Sequence, residues 1–304
     1  MQVVLLALWP LFALIVSGFT LQRLRFFADG FWPGAERLNY FFLFPALLIS
    51  SLAQTSFANP QLLRLALVIV LTLVLATAFL WWFKRRQGWD NLRFGVWIQG
   101  GLRFNTYLGL AAIGSLLGPE GLVLAALLLA IKVPLVNVIS VWSFSVGQGV
   151  SLRKLVLPIV KNPLIQGCVI GVLLNISGVG LPFGFDRWLS MLGAASLPLG
   201  LLCVGAALQP ASLLGERNGL LLNSLFKLIL LPLLVLLLAY CFGLGGNESM
   251  LLMVFFALPT AASSYILTQQ MGGDGQLMAG VITLQTALAA LSLPILLWVA
   301  SFLL

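Results

Sequence analysis

The sequence predicts an all-α membrane protein in which ten transmembrane helices form two inverted five-helix repeats, with breaks in helices 4 and 9. Three observations support this fold: the composition, the length of the apolar runs and an internal repeat. Of 304 residues, 61% are hydrophobic and only 8% are charged, which a water-soluble globule does not tolerate. The apolar runs reach the roughly 20 residues that a membrane-spanning helix needs. They lack the alternation of apolar and polar residues that is typical of the strands of a membrane β-barrel.

Ten apolar segments follow one another along the chain. They cover residues 1 to 21, 38 to 57, 62 to 83, 94 to 117, 120 to 147, 158 to 178, 187 to 209, 219 to 243, 248 to 270 and 275 to 303.

The cations of alternate connections give the orientation. One set of connections holds eleven cations: Arg23, Arg25, Arg37, Lys84, Arg85, Arg86, Arg93, Arg153, Lys154, Lys161 and Arg217. The opposite set holds only Arg64 and Arg187. The richer side is expected in the cytoplasm. We therefore predict a multi-pass protein of the cell (inner) membrane with both termini on the non-cytoplasmic side.

The remaining composition excludes several classes of function. The net charge of +8 resides mainly in connections, so the lipid bilayer and not a nucleic acid is the expected partner of the basic side chains. The chain has no histidine, its three cysteines lack Cys-x-x-Cys spacing, and no Asp or Glu falls in the middle of a span. We expect no metal, no cofactor and no catalytic residues.

An internal repeat divides the chain into residues 1–148 and 149–304. At an offset of 153 residues, Pro10, Gly18, Pro45 and Arg64 fall on Pro163, Gly171, Pro198 and Arg217. At an offset of 154, Thr106, Gly118, Glu120 and Gly121 fall on Thr260, Gly272, Asp274 and Gly275. Five spans per half is an odd number, so the second half is expected to enter the membrane inverted, as in many secondary transporters.

The fourth and ninth spans are predicted to be interrupted at corresponding places. Gly100, Gly101 and Gly109 are expected to loosen the helix around Asn105 and Thr106. In the ninth span Pro259 removes a backbone donor and is followed by Thr260, Ser263 and Ser264. Paired interruptions of this kind indicate a binding site near the membrane midplane.

Two polar residues of the fourth span have alternative interpretations. Asn105 is able to bridge freed backbone groups and a bound solute, or to form a structural bond between helices. Arg103 either addresses the same site or extends to the cytoplasmic interface. Helix N-termini at such a break would favour an anion.

Further polar residues lie in other spans. Lys132 precedes Pro134 and Asn137 in the fifth span and is either functional or paired with a carbonyl freed by Pro134. Gln285, beside Thr286 in the tenth span, is a candidate for the polar lining. Asn223 and Lys227 are expected near the cytoplasmic interface.

Four segments resemble the auxin efflux carrier family, which includes plant PIN carriers and bacterial malonate or malate carriers within the bile acid/sodium symporter superfamily. They are the broken fourth span with Asn105 and the stretches ALPTAASSYI, KNPLIQGCVIG and FLFPALLISSL. The resemblance covers nearly the whole chain. This chain lacks the long loop between the fifth and sixth spans that many plant members carry.

The resemblance implies a scaffold of helices 1, 2, 6 and 7, often dimerising, and a moving transport domain of helices 3–5 and 8–10. It implies that helices 4 and 9 cross at their breaks and bind a carboxylate beside Asn105 and Pro259. We therefore expect a secondary transporter of a small organic anion, possible as a homodimer. The alternatives are a carrier of a neutral or cationic solute, a sodium- or proton-coupled symporter, a channel, and, with least support, an enzyme.

Overall fold

The computed structural model describes residues 2–53, 61–146, 157 and 160–300. The described residues form helices joined by turns and short connections, without a β-strand. Six helical segments in them are long and apolar enough to cross a membrane, and two shorter apolar helices accompany them. The chain is therefore an all-helical multi-pass membrane protein.

Within residues 2–53 and 61–146, the chain forms six α-helices. They are α1 (Gln2–Arg23), α2 (Phe31–Leu38), α3 (Phe44–Ala53), α4 (Leu62–Gln87), α5 (Asn91–Leu102) and α6 (Thr106–Phe144). The long helix α6 is interrupted at Gly118, whose φ of 63° and ψ of −154° are not helical. The predicted end of the fourth span at residue 117 therefore coincides with a real interruption.

The described residues of the second half form seven α-helices. They are α7 (Pro163–Ile176), α8 (Phe185–Ala206), α9 (Arg217–Leu225), α10 (Leu231–Cys241), α11 (Gly246–Ala257), α12 (Ser263–Gln270) and α13 (Gly275–Ala300). The predicted boundary between residues 148 and 149, and the cations Arg153 and Lys154, lie outside the described residues.

Two π-helical turns each join one helix to the next helix along the chain without a break. Asn39–Leu43 connects α2 to α3, and Phe226–Leu230 connects α9 to α10. Each turn ends two residues before a proline, Pro45 or Pro232. A proline inside a helix cannot donate to the carbonyl four residues earlier. The wider turn accommodates that missing hydrogen bond, and such turns recur at functional sites.

The helices pack mainly in two groups. In the first group α1 packs on α8, and α3 packs on both α7 and α8. Glycine permits these close contacts: a side chain at Gly18 would collide with the backbone of Leu202, and one at Gly205 with the backbone of Ile15. In the second group α4, α5 and α11 pack on α6, α10 packs on α4 and α11, and α13 packs on α9 and α12, all three of which pack on α5. Helix α6 also forms most of the contacts with the first group.

Contacts between connections distinguish the two ends of the molecule. At one end Asn91 Nδ2 donates to the carbonyl oxygen of Val146 over 2.8 Å, and Arg93 forms an ion pair with Glu216. At the other end the backbone N–H of Gly245 donates to Gln61 Oε1 over 2.9 Å. We call the first end, which holds the connections after α4, α6 and α8, the basic end.

Candidate functional site

Helix α5 ends at Leu102, and α6 begins four residues later, at Thr106. Arg103 has extended backbone angles (φ −67°, ψ 159°), as does Asn105 (φ −77°, ψ 99°). The side chain of Asn105 closes the start of α6, because its Oδ1 accepts from the backbone N–H of Leu108 over 3.1 Å. Asparagine is among the preferred residues at this capping position. The fourth predicted span is thus broken at residues 103–105.

The ninth predicted span is broken at residues 258–262. Helix α11 ends at Ala257, Leu258 is extended (φ −64°, ψ 144°), and α12 begins at Ser263. Pro259 lies at the start of this break, where its missing N–H ends the hydrogen-bond ladder of α11. Four half-helices therefore end or begin in the interior of the protein.

The two breaks contact each other directly. The backbone N–H of Asn105 donates to the carbonyl oxygen of Pro259 over 2.8 Å. We call residues 103–105 and 258–262 together the crossing. Asn105 and Pro259 are 154 positions apart, which is the offset of the internal repeat in this region.

Gln285 and Thr260 fasten the crossing from the inside. Gln285 is fully buried, and its Oε1 accepts from the backbone N–H of Thr260 over 2.9 Å. Its Nε2 donates to the carbonyl of Gly100 over 3.1 Å and to Asn223 Oδ1 over 3.0 Å. The hydroxyl of Thr260 donates to the carbonyl of Gln99 over 3.0 Å. These side chains satisfy backbone groups that the breaks release.

Arg103 lies on the other side of the crossing. Its Nη2 donates to Ser263 Oγ over 3.0 Å, and its Nη1 lies 3.4 Å from Asn137 Oδ1. Three of the predicted site residues, contributed by the fourth, fifth and ninth predicted spans, therefore meet. The guanidinium group is only partly buried and keeps other N–H groups for a ligand.

Two adjoining cavities open beside the crossing. One of about 60 Å³ borders Asn105 and Tyr107, and one of about 80 Å³ borders Arg103 and Asn137. They share lining residues from four predicted spans: Tyr40, Thr106, Leu164, Ala261 and Ser263. Asn105 is 2% exposed, and its Nδ2 has no hydrogen-bond partner among the described residues. A free donor therefore borders the smaller cavity.

Lys132 is placed apart from both cavities. It is fully buried, and its Nζ donates to the carbonyl oxygen of Phe255 over 2.7 Å. That carbonyl lies four residues before Pro259, which has no N–H to offer it. The ammonium also lies 4.1 Å from the ring centre of Phe104 and 3.6 Å from that of Phe256. Lys132 thus pairs with a carbonyl freed by Pro259, whereas the sequence suggested one freed by Pro134.

The structure differs from the sequence-based expectation for the glycines and for two polar residues. Gly100, Gly101 and Gly109 remain helical, and they allow close packing: a β-carbon at Gly109 would lie 2.6 Å from Leu258 Cδ1. Asn223 and Lys227 are almost completely buried and do not extend to an interface.

Sequence reasoning missed three residues that line the cavities. Tyr40 lies in the first π-helical turn, and Tyr107 follows Thr106 at the start of α6. Asn162 caps α7, since its Oδ1 accepts from the N–H of Leu164 over 2.9 Å. The Asn-Pro pair at 162–163 is a helix-start signal, but nothing in the sequence relates it to the crossing.

Comparisons with known proteins find membrane transporters among the similar sequences. Residues 149–297 match the family described as "Membrane transport protein". An uncharacterized transporter of Methanothermobacter thermautotrophicus is 24% identical over 287 residues, which cover 93% of each chain. The uncharacterized transporter YfdV of Escherichia coli K12 is also 24% identical, over 86% of this chain and 87% of its own.

These matches point to a transporter and not to an enzyme. The two relatives match over both halves of the chain, as the resemblance of the quoted segments does, whereas the family match lies in the second half. The protein is a membrane transporter, and its second half is similar to the membrane transport protein family that includes the auxin efflux carriers.

Proposed function

We propose that this protein is a secondary transporter that moves a small organic anion across the membrane by alternating access. The observation that carries the proposal is the set of unused donors beside the crossing. Asn105 Nδ2 is unpartnered among the described residues, and the Arg103 guanidinium borders the neighbouring cavity. A carboxylate accepts hydrogen bonds from both kinds of donor.

The helix starts at the crossing add to this preference for an anion. Helices α6 and α12 both begin there, and the first N–H groups of a helix have no acceptor inside it. Each helix start also carries partial positive charge. Of the described residues that line the two cavities, Glu36 is the only Asp or Glu. A carrier of a cationic solute, the alternative on this fold, would be expected to place carboxylates at this position.

The helix bounds support ten spans in two inverted repeats. Helix α8 begins 154 residues after α2, α11 begins 155 residues after α5, and α9 begins 155 residues after α4. Gly118 and Gly272, which the repeat equates, both have positive φ angles, 63° and 73°. In this arrangement α2 with α3, α5 with the first part of α6, α9 with α10, and α11 with α12 each form one span.

We assign the first group of helices to a scaffold and the second to a transport domain. The two cavities lie between these groups, since Tyr40 and Leu164 belong to the first and Thr106 and Ser263 to the second. A site at such an interface is exposed to alternate sides when one group moves against the other. The exposed apolar face of α1, which includes Leu6, Trp9 and Val16, is where a homodimer would form.

The basic end is proposed to face the cytoplasm of the cell, with both termini outside, because cytoplasmic connections are rich in Lys and Arg. Asn162 begins α7 and Cys203 lies in the last turn of α8, so the cavities are nearer this end. The described arrangement then faces the cytoplasm. Export of an anion needs no coupling ion, because the membrane potential already favours it by about 2.3 kcal/mol per charge per 100 mV.

The test is uptake of radiolabelled malonate and malate, with a panel of monocarboxylates, into liposomes that contain the purified protein. The membrane potential is clamped at two values. Saturable uptake that depends on the potential and is lost in Asn105→Ala is expected. Absence of uptake for every anion tested, by wild-type protein that is folded, would overturn the organic-anion proposal and favour a neutral or cationic solute.

A further inference from the structure

Lys227 is a buried lysine that has no role in the proposed anion-binding site. It lies in the π-helical turn Phe226–Leu230, its side chain is fully buried, and its Nζ has no hydrogen-bond partner in the part of the chain that the structure describes. Lys132, by contrast, donates to the carbonyl of Phe255. An unpaired buried ammonium is unfavourable by several kcal/mol, and a buried lysine avoids this by releasing its proton.

Among the described residues, the surroundings of Lys227 offer no negative charge. Its turn packs against α5, α9, α10, α11 and α13, and Phe226 of the turn stacks on Phe79 of α4. The ionisable residues of these six helices lie only in first or last turns: Arg64, Lys84, Arg85, Arg86, Arg93, Arg217, Tyr240, Cys241 and Glu248. Lys132, on α6, is the other fully buried lysine of the described residues. Two ammonium groups in one apolar interior repel each other strongly.

Lys227 is connected to the crossing through the half-helices beside it. Helix α5 ends at the first break and α11 at the second, and both contact the turn that contains Lys227. Lys132 lies over the ring of Phe104, which is itself part of the crossing. An anion bound at the crossing would therefore supply the negative charge that the interior lacks. In a medium of low dielectric constant that charge favours the protonated form of a nearby lysine.

We propose that Lys227 is the proton-binding site of the transport cycle. Its amine binds a proton when the crossing holds an anion, and it carries no added proton in the described arrangement. This inference rests on the proposed function. A proton taken up by the Lys227 amine accompanies the anion and returns to water when the anion leaves. Because linkage is reciprocal, the proton strengthens anion binding by the same factor by which the anion strengthens proton binding. Anion and proton thus cross in the same direction.

The first test measures anion and proton movement together. Liposomes loaded with a pH-sensitive dye receive radiolabelled malonate, with the membrane potential held at zero. For one coupled proton, a gradient of one pH unit is expected to change malonate accumulation by about tenfold. Lys227→Met should exchange malonate without this response, whereas Lys161→Met, which removes an exposed lysine, should behave as wild type.

Two results of this test contradict the proposal while leaving the proposed function intact. They are malonate uptake by the wild type with no response to the gradient, and an unchanged response in Lys227→Met. Absence of uptake for every anion instead contradicts the proposed function.

A second test needs no substrate. If Lys227 is unprotonated in the folded protein, the unfolded chain binds one more proton there, and stability rises with pH. Thermal unfolding in detergent between about pH 6 and pH 9 should then show a steeper rise for wild type than for Lys227→Met. Parallel profiles for the two proteins would overturn the proposal even if no transported anion were found.

Discussion

The Nζ atom of Lys132 donates to the carbonyl oxygen of Phe255 over 2.7 Å, at the place where Pro259 cannot donate. The lysine thus replaces a backbone hydrogen bond that the proline removed. This relationship assigns Lys132 to the architecture of the break, and it leaves the proposed contact with an anion to Arg103 and Asn105.

A double-mutant cycle tests this assignment. Pro259→Ala restores an N–H four residues after Phe255, so Lys132→Met should be less harmful in that background than in the wild type. The difference should be about 1–3 kcal/mol, the penalty for leaving a buried carbonyl unpaired. Unfolding measurements on the four proteins give this coupling. Pro198→Ala, on helix α8, is the control, and it should be additive with Lys132→Met.

Substitutions at Asn105 separate its two roles. Asn105→Ser keeps an oxygen that caps α6 but removes the Nδ2 donor beside the cavity. We expect Asn105→Ser to retain stability and to lose malonate affinity at least tenfold, since a hydrogen bond to a charged group contributes about 1.5–3 kcal/mol. Asn105→Ala should lose affinity and, in addition, about 1 kcal/mol of stability. Equal malonate affinity in Asn105→Ser and the wild type would argue against a contact between Nδ2 and the anion.

Arg103 is expected to distinguish anions with two carboxylates from those with one. Asn105 lines one of the two adjoining cavities and Arg103 lines the other, so we expect a dicarboxylate to contact both. Arg103→Gln should weaken malonate binding by about thirtyfold, which corresponds to about 2 kcal/mol. Monocarboxylates should be affected much less. Competition assays measure both effects, and Arg93→Gln, at the basic end, controls for the loss of a charge.

Gly100 is predicted to be intolerant of even a methyl group. A β-carbon there would collide with Asn223 Oδ1 and lie 2.9 Å from Val281 Cγ1. Gly100→Ala should cost about 1–3 kcal/mol through overpacking and should disturb the bond between Asn223 and Gln285. The matched control is Gly34→Ala, where the added carbon has no neighbour within 4 Å. If the two variants unfolded at the same temperature, the packing argument would be wrong.

The helices and the break at Pro259 could be predicted from sequence because apolar length and proline act locally. The break at residues 103–105 was also predicted, but the glycines that indicated it remain helical. The start of the second span was harder to predict from the sequence. Helix α2 begins at Phe31, seven residues before the predicted start, because Glu36 and Arg37 interrupt the apolar pattern without interrupting the helix. Charged residues interrupt a hydropathy pattern, whereas backbone hydrogen bonds decide where a helix begins and ends.

The direction of individual side chains could not be predicted in the same way. Lys132 and Asn137 are separated by little more than one helical turn, yet one binds a carbonyl behind the crossing and the other meets Arg103 beside a cavity. Which face of α6 meets which break depends on the packing of the second half of the chain. Tyr40 and Asn162 became recognisable only when distant spans were brought together.

Gln285 limits how this molecule is able to deform. A displacement that separated α5 from the segment at Thr260 would break bonds that this one side chain forms with Thr260, Gly100 and Asn223. A displacement of these segments together, as a rigid body, breaks none of them. The motion that breaks the fewest hydrogen bonds therefore moves the crossing as a rigid unit past its neighbours. The geometry of its donors is preserved throughout that motion.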